Sequence, residues 1–294
     1  MILVVGIPTA GRREQLTRTL LQLGRQTRLP DRVIVCPANI DDFDESVVAS
    51  LPFRISVVRG NRGTCPQRNA ILSACEDADA VVFFEDDLYP APDYLEETEA
   101  MLVEDPSIVI ARGHIAVDGA KGPGIEHEEA LRLLDGLQES PLREEAIEDI
   151  YAAAGGCMTV RMAPVLAHGI RFDENLPLYG WLEDIDFSRS MAPYGRIVIN
   201  RRQRCIHLAT KRARTSGIRF GYSQIANPVY MCRKGTMSYR FALKHIAKNL
   251  TANIVRSIAP EIWVDRRGRL KGNLFALGDL LLGRIDPRNV LQLE

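Results

Sequence analysis

The 294-residue sequence predicts an α/β fold, a mixed and mostly parallel central sheet flanked by helices, with a helical extension at its C-terminal end. Three observations carry this prediction. Short apolar runs at residues 2–7, 32–36, 53–59 and 81–84 alternate with segments of helical periodicity. Small or turn-forming residues separate each strand from the next helix, the pattern of a parallel sheet whose ligand groups gather at the carboxyl ends of its strands. After residue 221 the strand pattern stops and amphipathic segments take over. The expected domains are therefore residues 1–221, with an acidic insertion at 118–149, and the extension 222–294.

Composition narrows the function classes. Lys and Arg number 37 against 38 Asp and Glu, so the chain lacks the basic excess of a nucleic-acid binder. A hydrophobic share of 46% suits a folded core, and no run approaches the ~20 apolar residues of a membrane span. The six cysteines are scattered without a CxxC pair and are expected to be buried free thiols. No charged segment precedes the first apolar run, so a cytoplasmic protein is expected.

The strand at 2–7 leads through Pro8, Thr9, Ala10, Gly11 and Arg12 into a helix over 13–25, where Leu16, Leu20 and Leu23 make the apolar stripe. A strand, a small-residue turn and a helix start suit an anion or nucleotide. The loop after the second strand carries Asp41, Asp42 and Asp44, which either touch a nucleoside or cap short helices. The third strand turns through Asn61, Arg62 and Gly63 into a helix over 67–75, and Arg68 in its first turn opposes the helix dipole, as if kept for an anion. The fourth strand, 81–84, ends in Glu85, Asp86 and Asp87 before a helix over 91–103. Adjacent acids at a strand end suit a divalent cation, or form a solvated turn.

A strand follows at 108–112. In the insertion, short surface helices with a solvated charged face are expected. Residues 151–154 and 157–160 return to the sheet around Gly155 and Gly156, which allow close approach or make a bulge. Trp181, Glu183, Asp184 and Asp186 lead a helix running to Met191, and acids there either cap it or do chemistry. A last strand, 196–200, precedes a basic run holding His207, Lys211, Arg212 and Arg214. Two further helices, one from Phe241 to Ile258 and one at 271–283, pack on their own domain, meet a second subunit, or lie on a membrane surface.

Several of these pieces, in this order, resemble family 2 glycosyltransferases of the GT-A fold, which is Rossmann-like and binds nucleotide-sugars. Pro8-Thr9 is similar to the family's first nucleotide-contacting turn, and Asn61-Arg62-Gly63 with Arg68-Asn69 to its N-x-G...A-R-N element. Glu85-Asp86-Asp87 resembles its D-x-D motif, and the segment from Gly180-Trp181 through Glu183-Asp184 to Phe187 its G-W-x-x-E-D-x-D-F motif. The resemblance covers residues 2–207 and not the tail.

It implies an inverting, metal-assisted transfer of a sugar from a nucleotide-sugar to a hydroxyl acceptor, a polysaccharide or lipid-linked glycan. Asp87 and His207 are then ligands of Mn²⁺ or Mg²⁺. The donor lies along Pro8, Thr9, Arg12, Asp42, Asn61, Arg68, Glu85, Asp86 and Asp87, with a UDP-sugar favoured over GDP or dTDP. Asp184 is the general base, its pKa raised by Glu183 and Asp186, and Trp181, Glu183 and Gly156 meet the acceptor. Glu85 departs from the motif's usual first Asp, and the acidic loop is displaced to Asp41-Asp42. A nucleotidyltransferase and a non-catalytic nucleotide-sugar binder are the other readings of such a fold.

Overall fold

The computed structural model describes residues 1–138, 146–211 and 215–293. The chain opens with strand β1 (Leu3–Thr9), helix α1 (Arg13–Leu23), β2 (Arg32–Pro37), β3 (Arg54–Val57), α2 (Thr64–Ser73) and β4 (Ala80–Phe84). Here every pairing is parallel: β1 lies between β2 and β4, and β3 adds to β2. Then come β5 (Leu88–Pro90), α3 (Tyr94–Glu104), β6 (Ile108–Asp118), α4 (His127–Gln138), β7 (Ile147–Asp149) and β8 (Cys157–Arg161). Next are α5 (Met162–His168), α6 (Glu183–Met191), β9 (Arg196–His207), α7 (Gly217–Lys234), α8 (Tyr239–Arg256) and α9 (Arg266–Leu281).

The sheet has the order β3-β2-β1-β4-β8-β6-β9-β5, with β7 also on β9. Its second half is mixed. β8 runs antiparallel to β4 and β6, whereas β9 runs parallel to β6 and antiparallel to β5 and β7. The expected mixed α/β sheet is thus present.

Two compact units divide the chain. The first holds Met1–Arg62, Pro66–Arg171 and Ser190–Ala213 and contains the whole sheet. β4 is buried at all five residues, which explains its unbroken apolar run. Leu16, Leu20 and Leu23 of α1 join Leu3, Val5 and Ile7 of β1 in the main core. The acidic insertion contributes α4, whose Ala130 and Leu134 pack against Tyr89, Ile206 and Leu208 while its glutamates stay outside.

The second unit holds Gly63–Cys65, Phe172–Arg189 and Arg214–Glu294. Here α7 and α9 cross at glycines. A Cβ on Gly221 would lie 2.0 Å from the Arg269 carbonyl, and one on Gly272 2.0 Å from the Ile218 carbonyl. Beside the crossing, buried Asn253 donates to Gln224 and Asn273 at 2.8 Å each, and Asn273 donates to the Gly221 carbonyl at 2.7 Å. Phe172 stacks on Phe187 with ring centroids 4.0 Å apart, and Lys234 bridges Asp173 and Asp186 at 2.7 and 2.6 Å.

Several local expectations change. Residues 88–90, read as part of a turn into a helix, form β5 because their backbone pairs with β9. Residues 151–154 stay outside the sheet, which β8 enters at Cys157. The strand expected over 108–112 continues to Asp118, and the one over 196–200 to His207. The expected boundary at 221/222 falls inside α7. Arg212 and Arg214 lie outside the described residues.

Candidate active site

Glu85, Asp86 and Asp87 leave the end of β4 between β1 and β8, and the neighbouring elements divide them by role. Thr9 at the end of β1 donates to Asp86 Oδ2 at 2.6 Å, and Arg12 Nη1 donates to Asp86 Oδ1 at 2.9 Å and to Asp87 Oδ2 at 3.3 Å. From α1, Thr19 donates to the Asp86 carbonyl at 2.7 Å. The Thr210 N–H donates to Asp87 Oδ2 at 2.7 Å. These bonds fix the turn. They leave Asp87 Oδ1 buried and without a hydrogen-bond partner among the described residues.

Strand register brings in the imidazole. At the end of β9, His207 pairs with Leu88 of β5 on one side and Asp118 of β6 on the other. His207 Nε2 is 3.1 Å from Glu85 Oε2 and 3.7 Å from Asp87 Oδ1. One ligand atom from each of the three residues lies within 4.8 Å of the others. Two carboxylates and an imidazole form a donor set for a divalent cation, and the orphaned Asp87 oxygen is the position such an ion satisfies. The residues therefore fit the metal that the resemblance implies.

His207 Nδ1 lies 2.8 Å from Asp118 Oδ1, a carboxylate behind the imidazole that sequence reasoning passed over. Its signal is its place at the end of β6, directly opposite His207. Far from being in a basic setting, His207 faces three acids.

Electrostatics reflect this crowding. Burial acts to lower the His207 pKa, but hydrogen bonds to Asp118 and Glu85 and the nearby charges carry it up to about 10. For Glu85, burial is outweighed by His207, Arg68 and Arg12, and its carboxyl is held below the usual range. Burial raises Asp86 to about 6 against the pull of Arg12, and burial with the charge of Glu85 raises Asp87.

The glycine pair has a steric reason. A Cβ on Gly155 would meet the Arg68 guanidinium at 2.6 Å, and one on Gly156 would meet the Glu85 carboxyl carbon at 3.1 Å. Arg68 donates to the Gly155 carbonyl at 2.9 Å and lies over the Phe83 ring. Arg68, Glu85 and Gly156 thus adjoin the cluster. Pro8 is within β1, and Asn61 is exposed before α2. Asp42 accepts from the Asn39 N–H at 3.0 Å, so its carboxylate closes the capping box of a short 3-10 turn over Ile40–Asp42.

Trp181, Glu183 and Asp184 belong to the second unit, with the two acids in the first turn of α6. The backbone is left-handed at Leu178, Gly180 and Leu182, with φ of 58°, 65° and 72°; glycine takes this conformation freely, so the strain beside Trp181 sits at the two leucines. Trp181 tilts against Phe220 at 4.9 Å, and Asn227 donates to its carbonyl at 2.8 Å. Asp184 accepts from the Ile185 N–H at 2.8 Å, and its charge reaches His245 of α8. Burial, then Lys248 and Lys244, nevertheless lower the His245 pKa. Asp186, expected to raise the Asp184 pKa, is held by Lys234 and by Thr236 at 2.5 Å, which offsets its charge.

Comparison with known proteins follows this geometry. The model of the family described as glycosyl transferase family 2 matches residues 4–163. No curated protein matches. Among solved structures, the chain is similar to residues 1–349 of S. aureus TarS in complex with UDP-GlcNAc, at a TM-score of 0.61 and 16% identity, covering 99% of this chain and 83% of that one. It spans 46% of the longer TarS chain. It is also similar to GalNAc-T7 with UDP, GalNAc and Mn²⁺, at 0.56 and 14%, covering 88% and 58% of the two chains. The mannosyltransferase PcManGT of Pyrobaculum calidifontis, in complex with GDP-Man and Mn²⁺, gives 0.54 and 14%, with 99% and 85% covered. At such identities the likeness is one of fold, and that fold is GT-A. With its family match extending over more than half of its length, the chain belongs to glycosyl transferase family 2.

Proposed function

We propose that this family 2 chain is an inverting glycosyltransferase that moves a sugar from a nucleoside-diphosphate sugar to a hydroxyl of a glycan or lipid-linked acceptor. One observation carries the reading: Glu85, Asp87 and His207 converge with a buried Asp87 oxygen left unsatisfied. That TarS and PcManGT were solved in complex with UDP-GlcNAc and GDP-Man supports a nucleotide-sugar donor. Asp87 and His207, with Glu85 beside them, would hold Mn²⁺ or Mg²⁺, and the ion would supply positive charge against the diphosphate leaving group.

The remaining chemistry belongs to side chains. Thr9 and Arg12 keep Asp86 and Asp87 in position, and Arg68 offers a buried cation beside Glu85. An acceptor hydroxyl is a weak nucleophile near neutral pH, so a carboxylate must take its proton as the new bond to the anomeric carbon forms. Asp184 has this role. The bond from that carbon to the diphosphate breaks with its electron pair on the leaving phosphate, and attack from the opposite side inverts the centre. Trp181 and Glu183 beside Asp184 meet the acceptor.

The experiment is a thermal-shift and calorimetric screen of UDP-, GDP- and dTDP-sugars with and without Mn²⁺. UDP-sugars are expected to bind best and to need the ion. Asp87→Ala abolishes the ion-dependent part, and Asp184→Asn leaves donor binding within about twofold while transfer falls by at least ~100-fold. Nucleotide affinity indifferent to Mn²⁺ and to the loss of Asp87 rejects the donor site, and near-normal transfer by Asp184→Asn rejects the base.

A further inference from the structure

The second unit carries an exposed surface on which the proposed transfer places none of its residues. On α8, Ala242 and Asn253 are buried, and the opposite side is in solvent. With about 100° per residue, Leu243 and Ile254 fall only about 20° apart on that exposed side, and Ile258 follows just past the end of the helix. Arg240, Lys244 and Lys248 line the sector beside Leu243 and Ile254. The turn after α8 adds Ile262, fully exposed, and Trp263, while Ile258 is 84% exposed. Large apolar side chains held in water at this density mark a surface awaiting a partner.

Charge selects the partner. Residues 239–283 hold eight Lys and Arg against three Asp and Glu, whereas the rest of the chain holds 29 against 35. The three acids are also engaged: Glu261 pairs with Arg256 and Arg266, Asp265 caps the Gly268 N–H, and Asp279 pairs with Arg284. Arg240, Lys244, Lys248 and Lys271 are in no ion pair among the described residues. A second copy of this chain docked about a twofold axis sets these cations against themselves. An anionic bilayer surface complements them and receives the apolar stripe and Trp263 at headgroup depth. Among the described residues no helix is long and apolar enough to cross a membrane, and the contact inferred here lies on the bilayer surface.

We propose that α8 and the turn after it form a peripheral docking surface for an anionic lipid bilayer. The full chain, without donor or acceptor, is sedimented with vesicles of phosphatidylcholine alone or mixed with phosphatidylglycerol, so the outcome is independent of the transferase reading. Pelleting is expected with the mixed vesicles only, and to weaken as salt is raised. Lys244→Gln with Lys248→Gln lowers the partition coefficient about 30-fold, from the loss of two surface cations. Ile258→Ser with Ile262→Ser also releases the protein, and both exposed variants keep the parent's circular dichroism and unfolding midpoint. Equal pelleting on neutral vesicles, unchanged partition in both variants, or no pelleting at all overturns the proposal. So does a tight dimer by sedimentation velocity that Ile258→Ser with Ile262→Ser dissolves while the parent ignores vesicles.

Discussion

Asp118 shows how one side chain sets the properties of its neighbour. An imidazole offers a metal only one nitrogen, and its other nitrogen needs a partner that fixes tautomer and ring angle. With Nδ1 hydrogen-bonded to Asp118, Nε2 is the nitrogen turned toward Glu85 and Asp87. Asp118→Ala is expected to weaken Mn²⁺ binding by about 10–100-fold, measured by the paramagnetic resonance of free Mn²⁺ in the absence of donor. Asp118→Asn, whose carbonyl still accepts from Nδ1–H, loses far less. Equal affinity in the alanine variant and the parent removes Asp118 from the site. The three acids at 85–87 were legible in the sequence because charge clustering is local. Asp118 was not, because the strand was expected to end before Gly113. That glycine marks close approach and not a break: a Cβ there would lie 2.2 Å from the Tyr94 hydroxyl.

At the scale of elements, periodicity revealed what is amphipathic and local, and missed what depends on another element. The parallel half of the sheet, α1 and α6 follow from apolar runs and first-turn acids. By contrast, α7 went unread because Gly221 and Pro228 interrupt an otherwise helical stretch. The structure explains the glycine, since α9 crosses there at backbone distance. Two glycines of α9 give a paired test. Gly272→Ala forces a methyl against the Ile218 carbonyl, and the helices must part, at a cost of about 1–3 kcal/mol. Gly278→Ala meets nothing within 4 Å and should stabilise the helix by about 0.5–1 kcal/mol. Urea titrations of both variants decide the point. A Gly272→Ala midpoint at or above that of the parent contradicts the crossing.

Over the whole molecule, sequence and structure agree best where a property needs no register. The family model stops at residue 163, yet Asp184 and His207 lie beyond it, and solved structures of this fold cover 99% of the chain, tail included. The scattered cysteines are a property of this kind. Their apolar neighbourhoods predicted buried thiols, and all six are buried and outside any disulfide. Burial pushes the Cys36 thiol up to about 11 against a backbone N–H from Gly60, and the Cys75 thiol up to about 12 against Arg32. Both remain protonated near pH 8, where an ordinary thiol is already partly thiolate. An aromatic disulfide reagent at that pH is therefore expected to find essentially no fast-reacting thiol in the native protein and six after guanidinium denaturation. Because attack needs both a thiolate and an open path, the slow native reaction should follow the opening of the fold and accelerate with sub-denaturing urea. A thiol that reacts in the native chain as fast as in the denatured one contradicts the burial of that cysteine, and mapping the labelled peptide identifies which element is open.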